Sequence, residues 1–489
     1  MNPFNRIRAI AFCCSPFFIL LLTPFLFPSP LAHAERGAGE GRVGGTSTTE
    51  GLYLQHCSSC HHPERYGISA SPLFKETIGG KKDSELKEII SKGLPATNMP
   101  LFGQVLSAEE IDGIVAYIKA PLEKPRWNKE DILKSKIVAD NPPKAPLLKS
   151  PSFPPLKKGD EGGLERVDLS NLFMIVEGGT GTVHFMDGDT FTLLDKVKVG
   201  AIHGGPKYDY DLNFSYILSR DGWLVKYDLK GLKEVSRLRV GINSRNLAVS
   251  GDSRYLAIAN RLPANIVFID AVKLEPVHLI ELDTLDTKVE AIYTLKKRGV
   301  FIIVLRDSPE LWLVDYKNGF PIERLLVPQP LNDIFIEPGE RFIIGAARSG
   351  NHLTVFDITE RKVVKEIEVE AMPHLVSATI WKDEDRFLAA FPHIKSPILT
   401  VIELYTWDII ARVNLKGSGH FARTHPGNPY IWVDVHTDTV QLIDKKTLKV
   451  VKELIPEEGR FVMHTEFKKD GRYALVSVRE KEVAVFIYD

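Results

Sequence analysis

Val183-His-Phe-Met-Asp187 returns as Leu224-Val-Lys-Tyr-Asp228, Val267-Phe-Ile-Asp270, Leu313-Val-Asp315, Val355-Phe-Asp357, Val401-Ile-Glu403, Leu442-Ile-Asp444 and Val483-Ala-Val-Phe-Ile-Tyr-Asp489. Each is an apolar run closed by an acid. All but the last lead through a polar turn into a second apolar run, such as Leu193 to Val199 or Val363 to Val369. The closing acids fall about 41 to 46 residues apart, the repeat length of propeller blades. Eight endings in about 320 residues predict an all-β eight-bladed propeller over residues 167–489. A seven-bladed ring with an extra hairpin is the alternative. Leu172 to Glu177 is expected to complete the last blade and close the ring.

Upstream, residues 123–166 turn to proline, lysine and glycine and read as a linker, because such a stretch cannot bury apolar surface. Residues 49–122 read as a small all-α unit. Ser84 to Ile90 and Ser107 to Ile118 carry helical spacing, and Ser107-Ala-Glu-Glu110 is a capping box. Residues 35–48 are glycine-rich and read as a flexible tether. Before them Arg6 and Arg8, an apolar stretch from Ala9 to Phe27 and Ala32-His33-Ala34 form the three-part layout of a signal peptide over residues 1–34. The chain is therefore expected in the periplasm, an uncleaved anchor being the alternative. No later segment is long and apolar enough to span a bilayer.

Lysine plus arginine number 62 against 63 aspartates and glutamates, without long runs of one sign, so no footprint for nucleic acid is present. Of four cysteines, Cys13 and Cys14 lie in the signal, which leaves none for a disulfide outside one motif.

That motif is Cys57-Ser-Ser-Cys60-His61. Two thiols three residues apart add to the vinyl groups of one haem c, and His61 presents its imidazole to iron. A zinc half-site would need two more ligands. The sixth ligand is expected from Met99 in Asn98-Met99-Pro100, with His56 and His62 as alternatives. With both axial positions filled, this haem passes electrons. Ten of the fourteen histidines lie in the propeller, several on glycine- and proline-rich connections where side chains can face a channel mouth.

Taken together, the chain resembles the cytochrome cd1 family, a haem c domain fused to an eight-bladed propeller that holds haem d1. Val199-Gly-Ala-Ile-His203-Gly-Gly-Pro and Leu218-Ser-Arg-Asp-Gly222 are similar to the stretch supplying the d1 iron ligand, which the resemblance assigns to His203. Val240-Gly-Ile-Asn-Ser-Arg245 resembles the segment whose arginine pairs with d1 carboxylates. Phe421-Ala-Arg-Thr-His425-Pro, Tyr430-Ile-Trp-Val-Asp434 and Glu466-Phe-Lys-Lys-Asp-Gly471 also follow the family.

The family's nitrite reductases place two histidines over haem d1. Met372-Pro-His374 matches one, while alignment from Val289-Glu-Ala-Ile292 puts the other near Lys296. Arg306 to Trp312 and Gly417-Ser-Gly-His420-Phe look more like the maturation branch, whose haem c-bearing members oxidise the propionate side chain of dihydro-haem d1 to the acrylate of haem d1. The resemblance implies an oxidoreductase of that kind. His374, His420 or His425 is the expected base, and His464 is a further candidate that would also line the bound macrocycle. The implied partners are the d1-type tetrapyrrole, a periplasmic electron acceptor or donor, and a protein receiving finished haem d1. The alternatives are a nitrite reductase using Lys296 or Lys297 as second proton donor, and a non-catalytic haem d1 carrier.

Overall fold

The computed structural model describes residues 6–11 (main chain), 48–67, 70, 72–74, 78, 81–93, 99–123, 125–139, 167–282, 288–347, 350–370, 372–478 and 484–489. Among these, no helix is long and apolar enough to cross a membrane.

The N-terminal unit is helical, as expected. It contains α1 (Thr49–His56), α2 (Ser58–His61), α3 (Asp83–Lys92) and α4 (Ala108–Lys119). Ser107 caps α4 by accepting from Glu110 N–H, while the Glu110 carboxylate accepts from Ser107 N–H. The apolar face so fixed buries Ile111, Ile114, Val115 and Ile118 against Leu52 and Tyr53 of α1 and Leu86 and Ile90 of α3. Each such side chain contributes roughly 1.5–3 kcal/mol by leaving water. Gly93 ends α3 at φ 73°, where a Cβ would lie 2.8 Å from the Met99 carbonyl oxygen. Only glycine lets the chain return this closely.

Eight antiparallel sheets follow, which makes eight blades. Seven carry four strands of one local order, starting at Lys207, Asn243, Val289, Asp333, Thr379, Ala422 and Val462. The first blade pairs Leu172–Glu177 with Thr182–Asp187 and that strand with Thr192–Lys198. Leu172–Glu177 thus stays in the first blade and does not complete the last one, contrary to the sequence expectation. The eighth blade instead has Arg6–Ala11 as its outermost strand, paired with Ala484–Tyr488. The remainder of the expected export signal lies outside the described residues.

The core sits in the seams between blades, because each sheet is apolar on both faces. Phe268 of the third blade meets Phe301 of the fourth, and Leu388 and Val401 of the sixth meet Ile431 and Val433 of the seventh. Ring closure is made the same way, by Met186 of the first blade against Leu475, Val485 and Ile487 of the eighth. Ion pairs reinforce it, Lys469 with Asp168 at 2.8 Å and Lys468 with Asp189 at 3.1 Å.

The expected linker is ordered in its first part. Helix α5 (Lys129–Lys134) buries Ile132 against Leu238 and Leu274 of the second and third blades. Ile137–Val138 adds a strand outside Lys233–Arg239, and Trp127 Nε1 donates to the Arg239 carbonyl at 3.0 Å. The helical unit itself packs Phe74 on Ile242 and Leu262 of the third blade, flanked by Tyr66 and Leu122.

Candidate functional site

In the second to eighth blades the first strand begins, and the second ends, at the same rim of the ring; the hairpin between them lies at the opposite rim. The first rim collects the chemistry. His203, Arg245, Glu290, Asp333, His374, His420 and His464 stand at or near the starts of first strands, and Arg220, Arg261, Arg306 and His436 at the second-to-third-strand turns. Contacts link them in an arc. His203 bonds to the Arg245 main chain, Arg245 and Arg306 pair with Glu290, and Asn332 Nδ2 donates to the Arg306 carbonyl. Asp333 accepts from the turn after His374, His374 bonds to the His420 main chain, and Asp434 joins His420 to His464.

One half of the arc is cationic. Arg220, Arg245 and Arg306 stand close enough to Arg261 to hold its pKa below the usual arginine range, burial acting first and these three guanidinium groups second. Glu290 is the carboxylate that offsets them. Four cations around one buried acid leave a surplus of positive charge, which favours an anion with several carboxylates. The His203 Nδ1 lies 3.1 Å from the Arg245 carbonyl oxygen, which can only accept. Nδ1 therefore holds the proton and Nε2 keeps its lone pair, the tautomer needed to bind iron. Burial, with Arg245 and Arg220, pushes the His203 pKa down to about 4, so the ring is neutral.

The other half carries imidazoles. His374 Nδ1 donates to the His420 carbonyl, which leaves Nε2 as its basic nitrogen. Burial lowers the His374 pKa, and Arg423 acts in the same direction. The His374 ring centroid is 4.9 Å from that of His420, which is 5.1 Å from His436. The His464 ring lies against Phe421, tilted by 36° with centroids 3.8 Å apart. Two acids, the buried Asp434 and the half-buried Asp333, hold these loops. Asp434 accepts from His420 and Phe421 N–H, both at 3.0 Å, and from His464 N–H at 3.2 Å. Asp333 accepts from Leu375 N–H at 2.8 Å and Val376 N–H at 3.0 Å, pinning the turn behind His374. Burial raises Asp434 to about 6 and Asp333 to about 7.

Two expected groups lie elsewhere. His425 sits in the hairpin between Ala422–Arg423 and Tyr430–Asp434, where its Nδ1 accepts from Gly427 N–H. It is at the Tyr430 end, more than about 10 Å along the strand from Asp434. Lys296 occupies the hairpin after Val289–Leu295, on the order of 20 Å from the rim. Its ammonium lies 3.9 Å over the Tyr210 ring, and Lys297 donates to the Pro338 carbonyl. Neither His425 nor the Lys296–Lys297 pair can serve the site. Of the other histidines, His393 is fully buried and uses both nitrogens, donating to the Glu370 carbonyl and accepting from the Thr400 hydroxyl; it is structural.

In the helical unit Cys57 and Cys60 are free thiols on either side of the start of α2, and His61 ends that helix. Met99 packs into the same apolar cluster as Cys57. These residues fit a covalent haem with thioether ligation. His62 is turned to other work, stacking on Tyr66 at 5.3 Å, and Tyr66 on Phe74 at 5.9 Å, toward the third blade. His56 packs edgewise on Phe102.

Comparison with known proteins adds independent findings. Residues 167–489 match the family described as cytochrome D1 heme domain, and residues 45–118 the family described as cytochrome C oxidase, cbb3-type, subunit III. The dihydro-heme d1 dehydrogenase of Pseudomonas aeruginosa is 37% identical over 91% of this chain and 90% of its own. The nitrite reductase of Stutzerimonas stutzeri is 22% identical over 94% and 91%. A solved structure of dihydro-heme d1 dehydrogenase NirN in complex with DHE superposes with a TM-score of 0.76 at 37% identity, covering 90% of this chain and 94% of that one.

Proposed function

The chain belongs to the cytochrome d1 haem domain family, and from that premise we propose that it oxidises a propionate side chain of dihydro-haem d1 to the acrylate of haem d1. It is an oxidoreductase that carries a haem c and takes a d1-type tetrapyrrole as substrate. The observation that carries this reading is the division of the rim, with Arg220, Arg245, Arg261 and Arg306 on one arc and His374, His420 and His464 on the other. The cations hold carboxylates; the imidazoles stand where a side chain of the held molecule can lose a proton.

Each residue has a role its surroundings suit. Nε2 of His203 takes the substrate iron, its Nδ1 proton being fixed by the Arg245 carbonyl. Arg245 and its neighbours bind carboxylates through charge-assisted hydrogen bonds. Nε2 of His374 is the base: burial keeps that ring neutral at pH 7, and a neutral imidazole can accept a proton. His420 stands beside it and shares the load. Cys57, Cys60, His61 and Met99 hold the haem c, which supplies a one-electron acceptor when bound. Removing two hydrogens turns –CH2–CH2– into –CH=CH– and releases two protons and two electrons. An exported one-electron carrier takes the electrons, and a protein that uses haem d1 takes the product. The N-terminal layout from Arg6 to Ala34 suits export of this chemistry to the periplasm.

One observation favours a second reading. Nitrite reduction needs two proton donors, and His420 beside His374 makes such a pair although Lys296 does not. The test runs both substrates. With dihydro-haem d1 and an oxidised acceptor, the expected result is loss of two hydrogens from the bound macrocycle by mass analysis; loaded with finished haem d1 and given nitrite, the protein should release little nitric oxide. Rapid nitric oxide release without mass loss establishes the reductase, and a bound but unchanged macrocycle the carrier.

A further inference from the structure

We propose that His436 is the outlet through which the site returns protons to solvent. The inference rests on the dehydrogenase reading, in which every turnover breaks two C–H bonds, forms one C=C bond and passes two electrons singly to one-electron acceptors of the haem c class. The two protons must leave the imidazoles before the next turnover. His374 and His420 are half-buried, whereas His436 is exposed. Ring centroids at 4.9 Å and 5.1 Å set the three imidazoles in file from the interior to water. At that spacing a proton crosses ring to ring directly or through one water.

The backbone is arranged to keep the file in place. Asp434 grips the His420 and Phe421 main chain, and His436 follows two residues later in the same turn, at φ 56°. That left-handed conformation is uncommon for a residue with a side chain, and histidine is among those that tolerate it best. Phe461 packs edgewise on the His436 ring at 5.0 Å, from the connection entering the eighth blade. The charged groups about the outer rings are few and mostly paired. Arg423 pairs with Glu466, Arg460 with Glu457, and Asp438 accepts from Gly459 N–H and the Thr439 hydroxyl. The buried Asp434 already accepts three main-chain N–H groups. With Asp434 engaged in this way, the imidazoles are the groups at this exit that can take up a proton on one ring nitrogen and release one from the other.

The sequence period supports a dedicated position. His436 stands on the turn that in the second, third and fourth blades carries Arg220, Arg261 and Arg306. The seventh blade offers a titratable group where those blades offer fixed charges.

The test uses the full-length protein with its haem c. In weak buffer His436→Ala should turn dihydro-haem d1 over about tenfold more slowly, short of the ~10²–10⁴ that loss of the base itself carries. Free imidazole added to the buffer should restore the rate, and the affinity for the macrocycle should stay as in the wild type. A second measurement needs no substrate: with isotope-labelled histidine, His436→Gln should shift the His420 titration upward, because a neighbouring imidazolium no longer opposes its protonation. An undiminished rate in weak buffer, or a loss that imidazole leaves in place, overturns the outlet. So does wild-type turnover together with an unmoved His420 titration. No turnover in the wild type overturns the dehydrogenase reading, and the outlet falls with it.

Discussion

Asp434 ties three main-chain amides of two blades to one buried carboxylate, and that has a cost in ionisation. Burial raises its pKa to about 6, and that of Asp333 to about 7, from an unfolded value of about 3.9. A carboxyl whose folded pKa is raised binds its proton more tightly when folded. Its contribution is complete below about pH 4 and is lost as pH climbs through the folded value. The thermal midpoint should therefore fall from about pH 4 to pH 7, and Asp434→Asn should flatten the part below about pH 6, worth about 2–3 kcal/mol. Arg261→Gln is expected to weaken macrocycle binding by about tenfold or more, the loss of a charge-assisted bond, while leaving the covalent haem spectrum intact; a spectral titration reads both. Resemblance to family motifs named His203, Arg245 and His374, the candidate bases added His420, His425 and His464, and the structure brings all of these but His425 to one rim. It gave no role to Arg220, Arg261 or Arg306, although these stand 41 and 45 residues apart, on the blade period itself. A periodic arginine on an alternating strand looks like a solvated edge until the rim is seen to gather all three.

A strand has two ends, and only one of them meets the rim. Lys296 and His425 belong to first hairpins, so they lie a strand's length from the site even though His425 is five residues from His420. Hence His425→Ala and Lys296→Gln should leave turnover within about twofold, whereas His374→Ala should lower kcat by ~10²–10⁴, all compared in one assay of product mass. Periodicity located every blade but could not say which turn faces inward, since the acid that closes each repeated run marks the length of the repeat and not its orientation. The linker departs from expectation for a similar reason. Proline and lysine dominate residues 123–166, and the short apolar stripe of Trp127, Ile132 and Ile137 is too brief to register against them. It becomes an element because the second and third blades offer a surface that covers Trp127 and Ile132, while Ile137 pairs by its main chain and keeps its side chain exposed.

The ring closes by packing. Met186 is fully buried against Leu475, Val485 and Ile487, so Met186→Ala should destabilise the propeller by about 2–5 kcal/mol, read as a lower thermal midpoint. Cleavage after Ala34 would remove Arg6–Ala11 from the Ala484–Tyr488 edge and leave the last blade with three strands, as in the first. In the processed protein the outward amides of residues 484–488 should then exchange with solvent early, which hydrogen exchange can follow. The expected Leu172–Glu177 closure failed because pairing with Thr182–Asp187 needs only a tight turn, whereas reaching the eighth blade would open the first. The eight-fold repeat makes the scaffold nearly symmetric, yet its rim is not: guanidinium groups occupy the second to fourth blades and imidazoles the sixth to eighth. A flat, many-armed tetrapyrrole laid on that rim has one rotational setting in which its carboxylates meet the cations. That setting delivers a particular arm to His374 and keeps its near-twins away. The regioselectivity of the desaturation is thus written in which blades carry arginine, and exchanging the charges of opposite blades should redirect the double bond before it abolishes it.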